Sequence, residues 1–338
     1  MSITARKLPD VYQRDMTDHS ANLSFDRPLS RALVHKSAVS EVFLTDVVRR
    51  SADRFLVAAQ WPRDHVMFRP GARSPLDPLL LVETVRQAGI CISHLFYDVP
   101  AGHAFVLTEL DYDIDGPAAL PATGTEPPAA VVEVTCSHEA KRPGRADMAM
   151  EAVVSVDDQR SARVGLRWQA VSPERYARLR WRGTQPLDHL PTGFAPGSAE
   201  AGSVEAGAPA ASISPESVGR PHARDVVLAP QADGDWLLRL DTGHPVIFDH
   251  GCDHVPGLAL LEAFRQAGLL GSHHVARNPH QASVHYTSFG EPGLPVIISA
   301  RRPDGAGADA DAGEETLELT AVQHGRLLAR ATLRSGAC

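Results

Sequence analysis

Lysine is nearly missing: Lys7, Lys36 and Lys141 are its only occurrences in 338 residues, and arginine supplies the rest of the 33 basic side chains. Against 41 Asp and Glu they leave a net charge of -8. That balance argues against a nucleic-acid binder, which needs basic surface to displace counterions. Cysteine is sparse as well. Cys91, Cys136, Cys252 and Cys338 share no framework and no CxxC spacing, which excludes a disulfide scaffold and fits a reducing cytoplasm. No run approaches the eighteen or so apolar residues that span a bilayer. The opening MSITARKLPDVYQRD lacks the apolar segment of a secretory signal. What is present, 43% hydrophobic and 22% charged residues, suffices for a packed core. The length suits about two domains.

Two stretches read as breaks. Pro191–Ser217, PTGFAPGSAEAGSVEAGAPAASISPES, is rich in Ala, Gly, Pro and Ser without a hydrophobic period, so it cannot bury enough surface to order itself. RRPDGAGADADAGEE, from Arg301 to Glu315, lies between strand-like runs and reads as a long hairpin loop. On either side of the first break the chain repeats itself. ETVRQAGICISH from Glu83 lies over EAFRQAGLLGSH from Glu262 at an offset of 179, with seven of twelve positions identical. The same offset places His65 over His244 and the Asp77-Pro78 step over Pro256-Gly257. With short gaps, EVFLTD from Glu41 matches DVVLAP from Asp225, and ARVGLR from Ala162 matches ARATLR from Ala329. The chain is a duplication. The expected division is an N-terminal arm over 1–30, a first half over 31–171, a partly disordered linker over 172–216 and a second half over 217–338.

Each half orders its segments alike: strand-like pieces, a loop, one long apolar helix, then more strand-like pieces. Asp77 can cap the first helix and Pro78 suits its first turn, while Pro256-Gly257 opens the second. A helix as apolar as PLLLVETVRQAGICISHLF must be buried on most sides. The layout expected is α+β, with a mostly antiparallel sheet curling around each helix.

Glu83, Arg86, Gln87 and His94 fall within about a 100° arc of the first helix, and Glu262, Arg265, Gln266 and His273 repeat the stripe on the second. A solvent-facing stripe with an ordinary Glu/Arg pair would look similar. However, a solvent-facing stripe requires only polarity. Here residue identity is kept in both copies while apolar neighbours differ, as Cys91 against Leu270 or Val85 against Phe264. A stripe facing a cleft is therefore expected.

PGLALLEAFRQ, following FDHGCDHV, resembles hotdog-fold enzymes acting on acyl thioesters, notably the β-hydroxyacyl-carrier-protein dehydratases. A wider resemblance runs through VHKSAVSEVFLTD, DRFLVAAQWPRDH, DPLLLVETVRQAGICISH and FDHGCDHVPGLALLEAFRQA. These motifs look like the A-factor synthase (AfsA-type) family, which carries two hotdog domains in one chain. The resemblance implies a tandem hotdog forming an intrachain pseudo-dimer. It also implies an acyltransferase that esterifies a β-ketoacyl group from a carrier protein or coenzyme A onto dihydroxyacetone phosphate, opening the route to γ-butyrolactone, butenolide or furan signals of actinomycetes. No cofactor, nucleic acid or membrane is implied. The dehydratase pattern has a histidine eight residues before the helix-opening proline, where this chain has Phe248, which speaks against dehydration. A thioester hydrolase or dehydratase of the hotdog type and a non-catalytic acyl-ligand binder are the alternatives.

This chemistry needs a base, donors for an oxyanion and a cation for phosphate. Glu83 or Glu262, desolvated on an apolar helix, is expected to have a raised pKa and to act as base. Arg86 or Arg265 is expected to bind the phosphate. Gly257, with a free N–H where Pro78 has none, is the expected oxyanion donor, in a composite site with Glu83 of the other half. Gln87, Gln266, Asp249 and His250 are expected to touch substrate. The run Asp249, His250, Cys252, Asp253, His254 contains metal-ligand types without ligand spacing, and no metal is expected. His65 and His244 read as structural; His94 and His273 stand open between core and tunnel-lining roles.

Overall fold

The computed structural model describes residues 23–68, 76–115, 120, 125–180, 212–272, 278–303 and 314–336. All twelve strand-like segments of the sequence form strands. In the first half they are β1 (Leu44–Arg49), β2 (Arg54–Gln60), β3 (Ala104–Ile114), β4 (Ala129–Arg142), β5 (Arg145–Val156) and β6 (Gln159–Val171). In the second half they are β7 (Leu228–Pro230), β8 (Trp236–Leu238), β9 (Gln281–Tyr286), β10 (Ile297–Arg301), β11 (Glu314–Gln323) and β12 (Arg326–Gly336). The helices are α1 (Pro78–Phe96), α2 (Pro173–Arg180) and α3 (Gly257–Gly271).

The strands form one antiparallel sheet in the order β1-β2-β4-β5-β6-β3-β9-β12-β11-β10-β8-β7. Read inward from either edge, the two halves have the same order, and β3 meets β9 at the seam, where Leu110 pairs with Val284 and Tyr112 with Ala282. The duplication seen in the sequence is thus a duplication of topology. Period-two alternation fixes the inward face, as in β5, where Met148, Met150, Ala152, Val154 and Val156 are buried.

Each half wraps its sheet around a helix. Asp77 caps α1 by accepting from the Leu79 N–H at 2.7 Å, with Pro78 in the first turn. α1 has the length and hydropathy of a membrane span, 19 residues at a mean of 1.3, although Glu83 and Arg86 interrupt its apolar run. It is a core helix, 83% buried, so its all-round apolarity is explained by the enclosing sheet. Gly89 and its repeat Gly268 sit where each helix crosses the sheet. A Cβ there would stand 3.2 Å from the Trp168 ring and 3.0 Å from Leu333 respectively, so the helices pack closely enough to require a hydrogen at these positions.

The stretch 172–216, expected as linker, contains α2. Tyr176 and Arg180 anchor this helix to the loop entering α3: Tyr176 Oη donates to Asp253 at 2.6 Å, and Arg180 pairs with Glu291 and donates to the Asp253 carbonyl. Residues 181–211, most of the expected linker, and 1–22 of the expected arm lie outside the described residues. The described end of that arm joins the first half, with Leu29 buried and its N–H donating to the Leu44 carbonyl at 2.8 Å.

Gly290 closes the loop before α3. Its carbonyl accepts from the Val255 N–H at 2.9 Å, and a Cβ on it would meet Leu328 at 2.7 Å and Val255 at 2.9 Å. Gly290→Ala is expected to overpack this corner and lower stability by about 1–3 kcal/mol, read as a lower urea midpoint at unchanged m-value.

Candidate active site

The two polar stripes have different fates. Glu83 and Arg86 line a cavity of about 660 Å³, together with Gly257, Leu258, Asp249 and His250 of the second half. Glu262 and Arg265 do not line it. They are buried in an ionic knot at the mirror position. Arg220 donates from Nε and Nη2 to Glu262 at 2.7 and 2.6 Å, and from Nη1 to Asp77 at 2.6 Å and to the Met67 carbonyl at 2.7 Å. Arg265 holds Glu262, the Val218 carbonyl and Asn278. The space between the second stripe and the first half's helix start is filled by Arg220 and Asp77.

The open side is built from the corresponding parts. Lys36, at the offset of 184 that also relates Glu41 to Asp225, takes the place of Arg220 and lies 3.0 Å from Glu83. Arg86 donates to Glu83 from Nε at 2.7 Å and Nη2 at 3.0 Å, and its side chain is 28% exposed. Nη1 of Arg86 is left toward the cavity without a partner among the described residues. Across the cavity, α3 begins at Gly257 after Pro256, which has no side chain able to cap it. Its first N–H groups are available to an oxygen. The structure therefore brings Glu83 and Gly257, from different halves, into one cavity.

Several expected residues turn out to hold the architecture. Gln87 accepts from the Phe43 N–H at 3.0 Å and donates to the Glu41 carbonyl and Glu83; Gln266 does the same with Val227, Asp225 and Glu262. Both amides are fully buried and lie outside the cavity lining, so the expected substrate contact is replaced by a bracket between helix and first strand. His65 and His244 also serve structure: each accepts at Nδ1 from the backbone of the next turn while Nε2 meets Glu41 or Asp225. Asp249 accepts from the Ser37 and Ala38 N–H groups at 2.7 and 3.0 Å, tying the second half's loop to the first half's Lys36 turn. His250, half exposed, stands 3.6 Å from Asp249. His273 lies outside the described residues.

The electrostatics correct one expectation. Burial alone would raise Glu83, but Arg86 and Lys36 outweigh it and hold its carboxyl far below the usual range. Glu262 is depressed in the same way, its burial overcome by Arg220 and Arg265. A carboxylate that tightly paired is a poor base, because cations placed nearby for one purpose lower its proton affinity. His250 is lowered by burial and by Arg86, so its imidazole stays neutral. His254 goes the other way: burial lowers it, yet the hydrogen bond to Asp253 at 2.8 Å carries it up to about 9. Cys252, Asp253 and His254 offer ligand atoms within 4.8 Å of one another. Asp253 also accepts from Tyr176 and meets His254 Nδ1.

Sequence reasoning did not select Lys36, His35 or Tyr176, all of which line the cavity. The signal for the first two was available: extending the EVFLTD alignment back five residues puts Lys36 over Arg220, two cations at one repeat position.

A model of the A-factor biosynthesis hotdog (AfsA) domain matches residues 17–172 and 203–338. A Streptomyces virginiae protein named 2-oxo-3-(phosphooxy)propyl 3-oxoalkanoate synthase is 37% identical over 244 residues, covering 70% of this chain and 74% of its own. The Streptomyces coelicolor protein of the same name is 34% identical over 314 residues, 90% and 91% of the two chains. Among solved structures, an acyl-ACP thioesterase from Bacteroides thetaiotaomicron aligns at 12% identity over 83% of this chain and 98% of its own, with a TM-score of 0.41.

Two stability outcomes follow from the knot and the tether. Arg220→Met is expected to cost about 3–5 kcal/mol, because Asp77 loses its buried counter-ion and Glu262 one of its two. Asp249→Ala should cost about 1–3 kcal/mol, whereas His250→Ala should stay within about 0.5 kcal/mol; urea titration reads all three. The depressed carboxyls set the acid limb. Their contribution is fully present above the ordinary value of 4.5 and is lost as pH falls toward their lower folded values, so the urea midpoint should drop steeply below about pH 4.5. The chain belongs to the A-factor biosynthesis hotdog family.

Proposed function

We propose that the chain is an acyltransferase that moves a β-ketoacyl group from a carrier-protein or coenzyme A thioester onto the free hydroxyl of dihydroxyacetone phosphate. The observation that carries this reading is the composite cavity, with Arg86 of α1 and Lys36 of an earlier turn lining it together with the uncapped start of α3. The names of the curated relatives point the same way, since a 2-oxo-3-(phosphooxy)propyl 3-oxoalkanoate is the ester of those two parts.

The roles follow from the geometry. Arg86 presents its free edge, and with Lys36 it suits the phosphate of the acceptor. Glu83, held ionised, orients both cations; it is a positioning carboxylate in this reading, in place of the base expected from its burial. The Gly257 N–H suits the oxyanion that forms at the thioester carbonyl. Phe105, Leu107, Ile247, Leu258 and Phe289 give the acyl chain an apolar wall. The second stripe, closed by Arg220, is read as structural, which makes this a one-site enzyme built as an intrachain pseudo-dimer. The free thiols of Cys91, Cys136 and Cys252 fit a reducing cytoplasm.

Purified protein, a β-ketoacyl thioester and dihydroxyacetone phosphate should give a phosphorylated ester or its butenolide, detected by mass spectrometry. Free acid made without acceptor would mean a hydrolase, and an enoyl product a dehydratase. Arg86→Ala should raise the KM for dihydroxyacetone phosphate about 10- to 100-fold, the worth of one charge-assisted contact. In Gly257→Ala the new methyl would lie 3.4 Å from the Tyr286 ring, tolerable for folding but crowding the approach to the helix start. A fall of about 100-fold in kcat/KM is expected, with Pro78→Gly near wild type. The reverse pattern would move the oxyanion site to α1.

A further inference from the structure

His35 has φ 53, in the left-handed region that disfavours residues with a Cβ. Its counterpart at the offset of 184 is Gly219, with φ 64. The two turns are built alike: the Lys36 N–H donates to the Arg31 carbonyl at 3.0 Å, and the Arg220 N–H to the Pro215 carbonyl at 2.9 Å. The repeat thus has a position suited to glycine, and the closed half keeps glycine there. The half with the open cavity carries an imidazole instead. A Cβ placed on Gly219 would stand 3.6 Å from Arg265 Nη1, so a side chain at this position is directed at the stripe arginine. Strain tolerated at a cavity in one copy and avoided in the other marks a site where the side chain has a task.

Hydrogen bonding determines which face of the ring the cavity meets. The Val99 carbonyl can only accept, so Nδ1 of His94, 2.7 Å away, carries a proton and donates it. Burial lowers the pKa of His94, leaving its ring neutral and its Nε2 an acceptor. That nitrogen lies 2.8 Å from Nε2 of His35, which must then be the donor. The proton of His35 is thereby placed on Nε2 and its lone pair on Nδ1. Nδ1 has no partner among the described residues, and His35 lines the cavity beside Glu83 and Arg86. The Phe105 ring, edge-on at a centroid distance of 5.0 Å, fixes the orientation. Burial, His94, Arg86 and His250 together push His35 down to about 3, so the lone pair is not lost to protonation near neutral pH.

We propose that Nδ1 of His35 is the proton acceptor of the acyl transfer, with His94 as the residue that positions its lone pair. The assignment rests on the acyltransferase reading. As the acceptor's hydroxyl oxygen bonds to the thioester carbonyl carbon, its proton passes to Nδ1 and the carbonyl electron pair moves onto oxygen. When the carbonyl re-forms, the carbon–sulfur bond breaks, its electron pair leaves on sulfur, and the proton on Nδ1 passes to that thiolate. Thioester and alcohol become ester and thiol with His35 restored. The low pKa weakens this base as it does Glu83; what sets His35 apart is a lone pair left unpaired among the described residues and held in place by the hydrogen bond to His94.

The test pairs two variants with a spectroscopic readout. In His35→Gln the amide N–H can still donate to His94 Nε2 while the Nδ1 acceptor is gone. A fall in kcat of about 100-fold or more is expected, with KM values within about threefold. His94→Asn keeps a donor for the Val99 carbonyl and removes the acceptor for His35, and about a tenfold fall in kcat is expected. Nitrogen-15 NMR of histidine-labelled wild type, with the His35 signals assigned by their loss in His35→Gln, should give an unprotonated Nδ1 and a protonated Nε2. His94→Asn should mix the two tautomers. A protonated Nδ1 in the wild type, or wild-type turnover by folded His35→Gln, would overturn the assignment. Wild-type protein that forms no ester would defeat the acyltransferase reading and this role together, whereas ester formation unaffected by His35→Gln would defeat the role alone.

Discussion

A carboxylate inside a sheet-wrapped helix must find positive charge within the protein, because water cannot reach it. Glu83 and Glu262 face that requirement at the same position of two copies, and the rest of the architecture follows how each is met. At Glu262 the answer is complete: Arg220 and Arg265 both pair with it, and Arg220 also pairs with the cap residue Asp77, so the knot binds the second half's helix to the start of the first. At Glu83 the answer is partial. Lysine replaces one arginine, the other arginine keeps a free edge, and the space across from them remains open.

The duplication lets the same parts serve as internal control. Gln87 and Gln266, His65 and His244, and the glycines at the helix crossings do the same work in both halves, so their identity reflects folding. Differences between the copies stand out against this constancy: His35 against Gly219, Lys36 against Arg220, Gly257 against Pro78. All three differences fall on the cavity or on its closed mirror image.

Much of this was legible in the sequence. Strand-like runs marked the strands, and Asp77-Pro78 and Pro256-Gly257 marked the helix starts, because those signals are local. The pairing of Glu83 with Gly257 was accessible from the duplication combined with the hotdog arrangement. What escaped was set by contacts between distant segments. The protonation of Glu83 depends on Lys36, forty-seven positions away in a turn with no period of its own. The choice between polar stripes depends on Arg220, just beyond a stretch that reads as linker. Gln87 and Gln266 resembled ligands because a bracket holding buried backbone groups demands as fixed an identity as a binding site. Helix α2 was hidden by its exposed, Arg-rich composition; its anchoring partners lie far downstream at Asp253 and Glu291.

The tether between Asp249 and the Ser37–Ala38 turn crosses the boundary between the halves at the cavity itself. The cavity therefore belongs to the seam, and neither half supplies its lining on its own. The apolar wall draws on β3 of one half and on α3 and its approach loop of the other, while the Lys36–Glu83–Arg86 cluster belongs to the first half. An exchange at Ile247 or Leu258 would consequently reshape the cavity from the second half and leave the Lys36–Glu83–Arg86 cluster in place. A duplicated chain gains from this arrangement a scaffold in which one copy can change the cavity wall while its twin keeps the ion cluster.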